Sequence, residues 1–453
     1  MLIDYTGQLR DTPPDLGALE FTATGDNITL GEIMHPEAPF AAGTYPVSVS
    51  LRNNGTVALT SFTLNWTLNG ADQTPINWTG NLPVTSTTEV TLGSLLFEET
   101  TEYSFTVASS LPNGNLDIDT SDDSVGVTDI YTSLGGTYTL GGTNPDFATF
   151  VESRDALRYG GIYDAVTFNV ANGTYEESFQ VYPVTGAGPD QRITYQAASG
   201  DSTQVILSRV GSGVGNYTIR LEGADYYTFR NFTLNVDGQS NGILVYLRDG
   251  AEHNLFEGNI YNGVSLATTS EFFSLIYSET GNSINSNNDF NTFRNSIFND
   301  GSYGVHLLGW STGNNAERGT VIENNVFNNQ WRWGLYLYRQ IDAVMAFNRV
   351  SSNSSNSDYR GLRLFNIYND SRVHDNIIDA PRGYGIYIEY SDGYGPRFKV
   401  YNNFIKVGGT STAFGFRIDY SYNTDFYHNN VLVTSTNQTS VGAAYIFFNY
   451  NNQ

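Results

Sequence analysis

Ile322-Glu-Asn-Asn-Val-Phe327 and Gly334-Leu-Tyr-Leu-Tyr338 are two short runs, each too brief to fold by itself. The first is broken by paired asparagines. The second alternates apolar residues with outward-facing ones, which is the period of a half-buried strand. Both recur. The first returns as Phe229–Leu234, Phe256–Tyr261, Phe293–Phe298, Met345–Val350, Val373–Ile378, Val400–Ile405 and Tyr427–Leu432, with starts 23 to 37 residues apart. The second returns as Gly304–Leu308, Gly361–Phe365, Gly385–Glu389, Gly415–Asp419 and Ala443–Phe447. Short strands at such a period cannot close a core within one repeat, but they can stack as coils of a solenoid. Each strand then pairs with the coil above it at about 4.8 Å. The pairs Val305/Leu307, Leu335/Leu337, Leu362/Leu364, Ile386/Ile388 and Phe416/Ile418 are expected to point inward. Each such side chain contributes about 1.5–3 kcal/mol on burial. Two asparagine columns are expected at the corners: Asn295, Asn324, Asn402 and Asn429, and one place on, Asn325, Asn376, Asn403 and Asn430. Asparagine tolerates the left-handed conformation that a sharp corner needs, and stacked amides can hydrogen-bond from coil to coil.

Upstream, Asp146–Arg158 carries Phe147, Phe150, Val151 and Leu157 on one helical face after Pro145, and Val166–Val170 and Gly173–Glu176 follow. This stretch resembles the N-terminal cap and first coil of pectate-lyase-like right-handed parallel β-helix proteins. A cap helix makes physical sense, because an open solenoid end exposes apolar core and unpaired strand edges. Residues 21–127 alternate differently, at Val47/Val49/Leu51, Phe62/Leu64/Trp66/Leu68 and Tyr103/Phe105/Val107, with turns at Asn53-Asn54-Gly55, Asn69-Gly70 and Asn113-Gly114. That pattern is a two-sheet sandwich. Arg52-Asn53-Asn54-Gly55-Thr56 and the acidic exit Asp117–Asp123 resemble a CARDB-type immunoglobulin-like module. Residues 1–20 contain Asp4-Tyr-Thr-Gly-Gln-Leu-Arg10 and Asp15-Leu-Gly-Ala-Leu-Glu20, which resemble the closing segment of a β-helix. The expected fold class is therefore all-β: an immunoglobulin-like β-sandwich followed by a right-handed parallel β-helix with a short cap helix. The expected division is 1–20 closing segment of a preceding β-helix, 21–127 spacer, 128–160 linker and cap, and 161–453 β-helix, unclosed at its C-terminus.

Composition narrows the function classes. The 453 residues carry a net charge of −24, with 15% charged and 14% aromatic residues and no cysteine. This excludes a disulfide framework, a cysteine-based zinc site and a thiol nucleophile. The negative charge argues against non-specific nucleic-acid binding or an acidic membrane surface. No apolar run long enough for a membrane span is present, and residues 1–10 have no signal-peptide pattern. The charge is uneven: −3 over residues 1–20, −11 over the spacer and −10 over the remainder.

The outward positions of the second run form two columns, His306/Tyr336/Arg363/Tyr387/Arg417/Tyr445 and Leu308/Tyr338/Phe365/Glu389/Asp419/Phe447. Trp331, Trp333, Tyr336, Tyr338, Arg363, Tyr387, Glu389, Arg417 and Asp419 make the candidate glycan or lateral-contact face, with Trp331 and Trp333 expected half-exposed in a loop. Alternating Arg, Tyr and carboxylate is also what cross-strand pairing and cation–π stacking produce without any reaction. A uronate lyase needs cations for the substrate carboxylate, here Arg363 or Arg417, and a base, Lys406 or Tyr387. An inverting hydrolase needs two carboxylates about 6.5–9.5 Å apart, for which Glu389 and Asp419 are the candidates. No glycine-flanked histidine is present. His374 and His428 are expected to share a column two coils apart, too far for one metal. Asp119, Asp122, Asp123, Asp15 and Glu20 are dense enough to consider Ca²⁺ but follow no EF-hand spacing. The expectation is no catalytic residue, no resident metal and no cofactor.

The architecture resembles giant surface and secreted proteins of gliding or predatory bacteria exported by a type IX-like route. That resemblance implies a structural and adhesive repeat unit, extracellular or at the cell surface, partnered by neighbouring copies in a homo-oligomer or bundle and by surface glycans. It implies roles in adhesion, motility or prey capture. The alternatives are a lyase or hydrolase of an acidic polysaccharide and a carbohydrate-binding β-helix without turnover.

Overall fold

The computed structural model describes residues 25–210, 217–237, 242–279, 281–392, 395–437 and 439–447. The closing-segment reading of residues 1–20, with Asp15 and Glu20, lies outside them, as do the last residues of the chain. Two compact units divide between Ser133 and Leu134.

The first unit is an antiparallel sandwich. One sheet joins Ile28–Met34, Gly43–Asn53 and Thr87–Phe97. The other is built around Leu59–Leu68 and Tyr103–Ser110. The period-2 residues do what alternation requires: Val47, Val49 and Leu51 are buried, while Arg52 faces out. Phe62, Leu64, Trp66, Phe105 and Val107 fill the same core from the opposite sheet. Asn69 and Gly70 both take positive φ, at 49° and 74°, which fits a tight antiparallel turn. Asn53 is fully buried, and its Nδ2 donates to the Val57 and Leu82 carbonyls at 2.8 and 2.9 Å. That is why a polar residue sits inside the core there.

The second unit is a parallel β-solenoid. Three sheets run along it, with 11, 10 and 11 strands among the described residues. Pairing begins earlier than the sequence reading places it. Leu134–Leu140, inside the stretch read as linker, is a solenoid strand and pairs in parallel with Ile162–Val170. The helix Phe150–Gly160 lies between them in the chain. The Thr149 side chain caps the helix by accepting from the Glu152 amide at 3.1 Å, and Gly161 ends it with φ 69°. Its apolar side, Phe150, Ala156 and Leu157, is buried, and the Phe150 ring lies 5.1 Å from Phe179 and 5.7 Å from Tyr195.

Each six-residue run is one first-sheet strand, a corner and one second-sheet strand. In Ile322–Phe327, Val321–Glu323 and Val326–Asn328 are the strands, and Asn324 turns between them with φ 54°. The same corner is taken by Asn231, Asn295, Phe347, Asp375, Asn402 and His428, all near +55 to +60°. The next residue carries a buried amide ladder. Asn325, Asn348, Asn376 and Asn403 pass hydrogen bonds upward: each main-chain N–H donates to the Oδ1 of the following coil's asparagine. Asn429 is the last acceptor in this series, at 3.1 Å from the Asn403 amide. This corrects the sequence alignment, which put Asn429 in the corner column and Asn430 in the ladder. The corner there is His428, and Asn430 begins the strand Asn430–Val433. An exposed corner accepts any side chain that tolerates positive φ, whereas the ladder needs an amide.

The second run forms the third sheet. All five expected inward pairs are buried, from Val305/Leu307 to Phe416/Ile418. Phenylalanine rings stack beneath the first sheet, with Phe229, Phe256 and Phe293 at 5.3 and 5.2 Å steps. Among the described residues no helix is long and apolar enough to cross a membrane.

Candidate functional site

Parallel register sets the outward columns of the third sheet. Tyr277, His306, Tyr336, Arg363, Tyr387, Arg417 and Tyr445 follow one another coil by coil. Leu308, Tyr338, Phe365, Glu389, Asp419 and Phe447 run beside them. This face is not an open lattice of free charges. Tyr387, Glu389 and Asp419 are each less than 9% exposed. Arg363 Nε donates to Glu389 Oε2 at 2.7 Å, and its guanidinium lies 4.6 Å from the Trp333 ring and 5.0 Å from Tyr336. Arg417 Nε and the Tyr387 hydroxyl both donate to Asp419 Oδ2, at 2.8 and 2.7 Å. Arg417 also donates to the Tyr384 hydroxyl, and Arg360 sits 4.1 Å over the Tyr384 ring. Flat guanidinium and phenol groups thus bury one another in a continuous strip.

Burial shapes the protonation of this strip. Burial, and then the bond to Asp419, push the Tyr387 phenol far above its ordinary value. Burial lifts Tyr336 to about 12. His306, stacked 4.5 Å from Tyr303, is held down to about 3 by burial and by the charges of Arg332 and Arg363, so it is neutral at physiological pH.

The two tryptophans separate. Trp333, expected half-exposed, opens the third-sheet strand Trp333–Ile341 and is 3% exposed. Its Nε1 donates to the Asp358 carbonyl at 2.9 Å, and Arg332 lies 4.3 Å from its ring. Its ring lies against the outward column, 4.9 Å from Tyr336, and is not exposed there because Arg332 and Arg363 cover it. Trp331 lies in the turn before that strand, half-buried, at the edge of a surface cleft. Tyr338 is half-buried, edge-on to Phe365 at 5.1 Å.

Of the lyase candidates, Tyr387 lies between Arg363 and Arg417 in register, with the Arg417 guanidinium 4.9 Å from its ring, but Lys406 does not join them. Lys406 belongs to the second-sheet strand Phe404–Val407 and pairs with Asp379 at 2.9 Å, whereas Arg363 and Arg417 face out from the third sheet. Glu389 and Asp419 are neighbours in register, each already held by its own arginine. The histidines do not share a column either. His374 stacks on Tyr401 at 4.7 Å and pairs with Asp375, while His428 occupies the corner one position on.

Sequence reading missed an acidic series at the turns from the third sheet back to the first. Burial, then Asp289 and Asp225, raise Glu252 to about 7. Glu317, with no exposed surface, also rises to about 7 through burial, although it accepts from Gln340 Nε2 at 2.9 Å and the Asn288 amide at 3.1 Å. Glu252 stands four residues before Phe256, as Asp225 does before Phe229 and Asp289 before Phe293, so its column was periodic in the sequence, whereas no such signal marks Glu317. In the sandwich, Asp119 accepts from the Ser121 amide and hydroxyl, and Asp122 accepts from the Thr29 hydroxyl.

A family model described as periplasmic copper-binding protein (NosD) matches residues 314–452. Copper ligands do not converge in that stretch. Met345 is buried in the coil interior, His374 and His428 are engaged as above, and no cluster of three metal-type side chains occurs among the described residues. No curated protein matches the chain. Among solved structures, the CARDB domain of a Pyrococcus furiosus protein is 16% identical over 24% of this chain and 96% of that one, with a TM-score of 0.21. A pectate lyase, Pel9A, is 13% identical over 69% of this chain and 79% of that one, with a TM-score of 0.37. A surface adhesin of Streptococcus pneumoniae, PfbA, is 13% identical over 70% of this chain and 85% of that one, with a TM-score of 0.35.

Proposed function

We propose that this chain is a non-enzymatic structural and adhesive unit of an extracellular or cell-surface filament protein, acting beside neighbouring copies of itself and against surface glycans. One observation carries the reading: on the third-sheet face Arg363 is paired with Glu389, and Arg417 and Tyr387 are both paired with Asp419, so each candidate acid, base and cation there is already engaged, although Asp419 Oδ1 is buried without a hydrogen bond. A general base must be free to take a proton near neutral pH. Tyr387 donates to Asp419 and its phenol is shifted the wrong way, and Glu389 and Asp419 are ion-paired. Stacked arginine, tyrosine and tryptophan stiffen a rod, and the hydrogen-bonded amide ladder does the same along its axis.

The test is turnover and adhesion on the same sample. Polygalacturonate and alginate are incubated with the full chain while unsaturated product is followed by absorbance and reducing ends by a colorimetric assay. Adhesion to glycan-coated surfaces is measured in parallel. No product together with retention on the surface is expected. Turnover that disappears in Arg417→Ala and Glu389→Gln would overturn the reading in favour of a carbohydrate-active enzyme.

A further inference from the structure

The turns between the second and third sheets vary in length along the rod. Asn262 and Ser274 bound a long connection, and Ser351 and Arg360 bound another. Between them lie two short ones, residues 300–302 and 329–332. Two short turns flanked by two long ones make a notch. Its walls stand three coil spacings apart, about 14 Å. The structure has a cleft of about 380 Å³ there, with Val264–Ala267 on one side, Asn353 on the other, and Asp300, Gly301, Asn329 and Trp331 between. That volume lies within the range of small-ligand sites, about 300–1,000 Å³.

The floor is rigid. Gln330, fully buried, donates through Nε2 to the carbonyls of Phe298, Asp300 and Asn328, at 3.0 to 3.1 Å. The Trp331 amide donates to the Gly301 carbonyl at 2.8 Å, and its own carbonyl accepts from Ser354 Oγ. Asp300 and Asn329 hold positive φ, 59° and 62°, on successive coils. By contrast, the side chains of Asp300, Asn329 and Asn353 make no hydrogen bond to any described residue. The cleft therefore presents one carboxylate, two amides and a half-buried indole on a fixed frame.

We infer that this cleft binds a short uncharged saccharide, with a pyranose ring against Trp331 and vicinal hydroxyls on Asp300, Asn329 and Asn353. An aromatic plate takes the apolar face of a sugar ring, while carboxylate and amide groups accept from and donate to hydroxyl pairs. Asp300 is the one charged group lining the cleft, so it repels a uronate and selects a neutral or N-acetylated sugar. This inference rests on the adhesive reading and gives it a ligand class.

The probes are N,N′-diacetylchitobiose, lactose and digalacturonate, tested by saturation-transfer NMR and calorimetry on the full chain and on Trp331→Ala, Asn353→Ala and Trp331→Phe. At least one neutral disaccharide is expected to bind in the millimolar range, about tenfold weaker in Trp331→Ala and partly recovered in Trp331→Phe. Digalacturonate is expected to bind more weakly than either. Circular dichroism and melting of Trp331→Ala should match the parent, which separates lost binding from lost folding. Unchanged binding in Trp331→Ala, no saturation transfer from either neutral disaccharide, or tightest binding of digalacturonate overturns the inference. Surface adhesion without disaccharide binding would remove the site and leave the adhesive reading. Turnover with binding at the cleft would do the reverse.

Discussion

Replacing Asn376 by alanine tests the amide ladder directly. Asn376 is fully buried. Its Nδ2 donates to the Met345 carbonyl and to Asn403 Oδ1, both at 2.9 Å. Its Oδ1 accepts from the Asn348 amide at 3.0 Å and from Asn348 Nδ2 at 3.1 Å. Alanine removes all of these and leaves the Asn348 amide without a partner in a dry interior, while the Met345 carbonyl keeps its place in the strand ladder opposite Val373. A net hydrogen bond is worth about 1 kcal/mol, and an orphaned buried group costs about 1–3 kcal/mol. The Asn403 amide keeps its acceptor, Asn429 Oδ1. The expected loss is therefore about 3–5 kcal/mol. The fold contains its own milder variant: Ser296 occupies the same column and accepts from the Asn259 amide at 3.1 Å through Oγ. Asn376→Ser should then cost less than Asn376→Ala. Asn376→Asp should cost most, because it buries a charge and removes the donor. Urea denaturation followed by circular dichroism gives the order, and amide hydrogen exchange across residues 345–405 locates the damage. A loss below about 0.5 kcal/mol for alanine, or an aspartate variant no worse than alanine, refutes the ladder as a source of stability.

Other outcomes follow from the buried acids, the arginines and the tryptophans. Glu252 and Glu317 have folded values near 7, above their unfolded ones, so the folded chain binds more protons between about pH 4.5 and 7. Stability is complete below that window and falls as pH rises through it. The urea midpoint should therefore be higher at pH 5.5 than at pH 8, and Glu317→Gln should flatten the dependence and raise the pH 8 value. Arg417→Met leaves Asp419 buried without its cation and should cost about 3 kcal/mol, while the double variant with Asp419→Asn should recover part of this, read by thermal melts. Trp333→Ala should cost about 3–5 kcal/mol in the same assay, because its ring and Nε1 are buried, whereas Trp331→Ala should melt like the parent.

Much of the fold was legible because periodicity is a physical constraint. Val305/Leu307 and their counterparts must alternate if one face is dry, and a tight corner between such short strands must contain a residue with positive φ. Asn324 and Asn402 announce that corner by type. His428 does not, and only the backbone distinguishes it from the ladder residue beside it. The strand Leu134–Leu140 was hidden because Gly135 and Gly136 interrupt its alternation. The outward columns were readable as columns, but not their burial. Arg363 and Trp333 cover each other through side chains long enough to bridge a coil, and alternation says nothing about reach. Glu317 could not be found from sequence, since its environment comes from Asn288 and Asp289 on one neighbouring coil and Gln340 on the other. The cleft did leave a trace. The spacing of 37 residues between Phe256 and Phe293 marks the inserted loop that walls it.

The connections between the second and third sheets differ in length while the coils beneath them stay the same. Position along the rod is thus decoupled from recognition. Lengthening or shortening one connection moves the notch by whole coil steps without touching an inward residue. A solenoid of this kind can change what it holds, and how far from its base it holds it, through insertions that never reach the core.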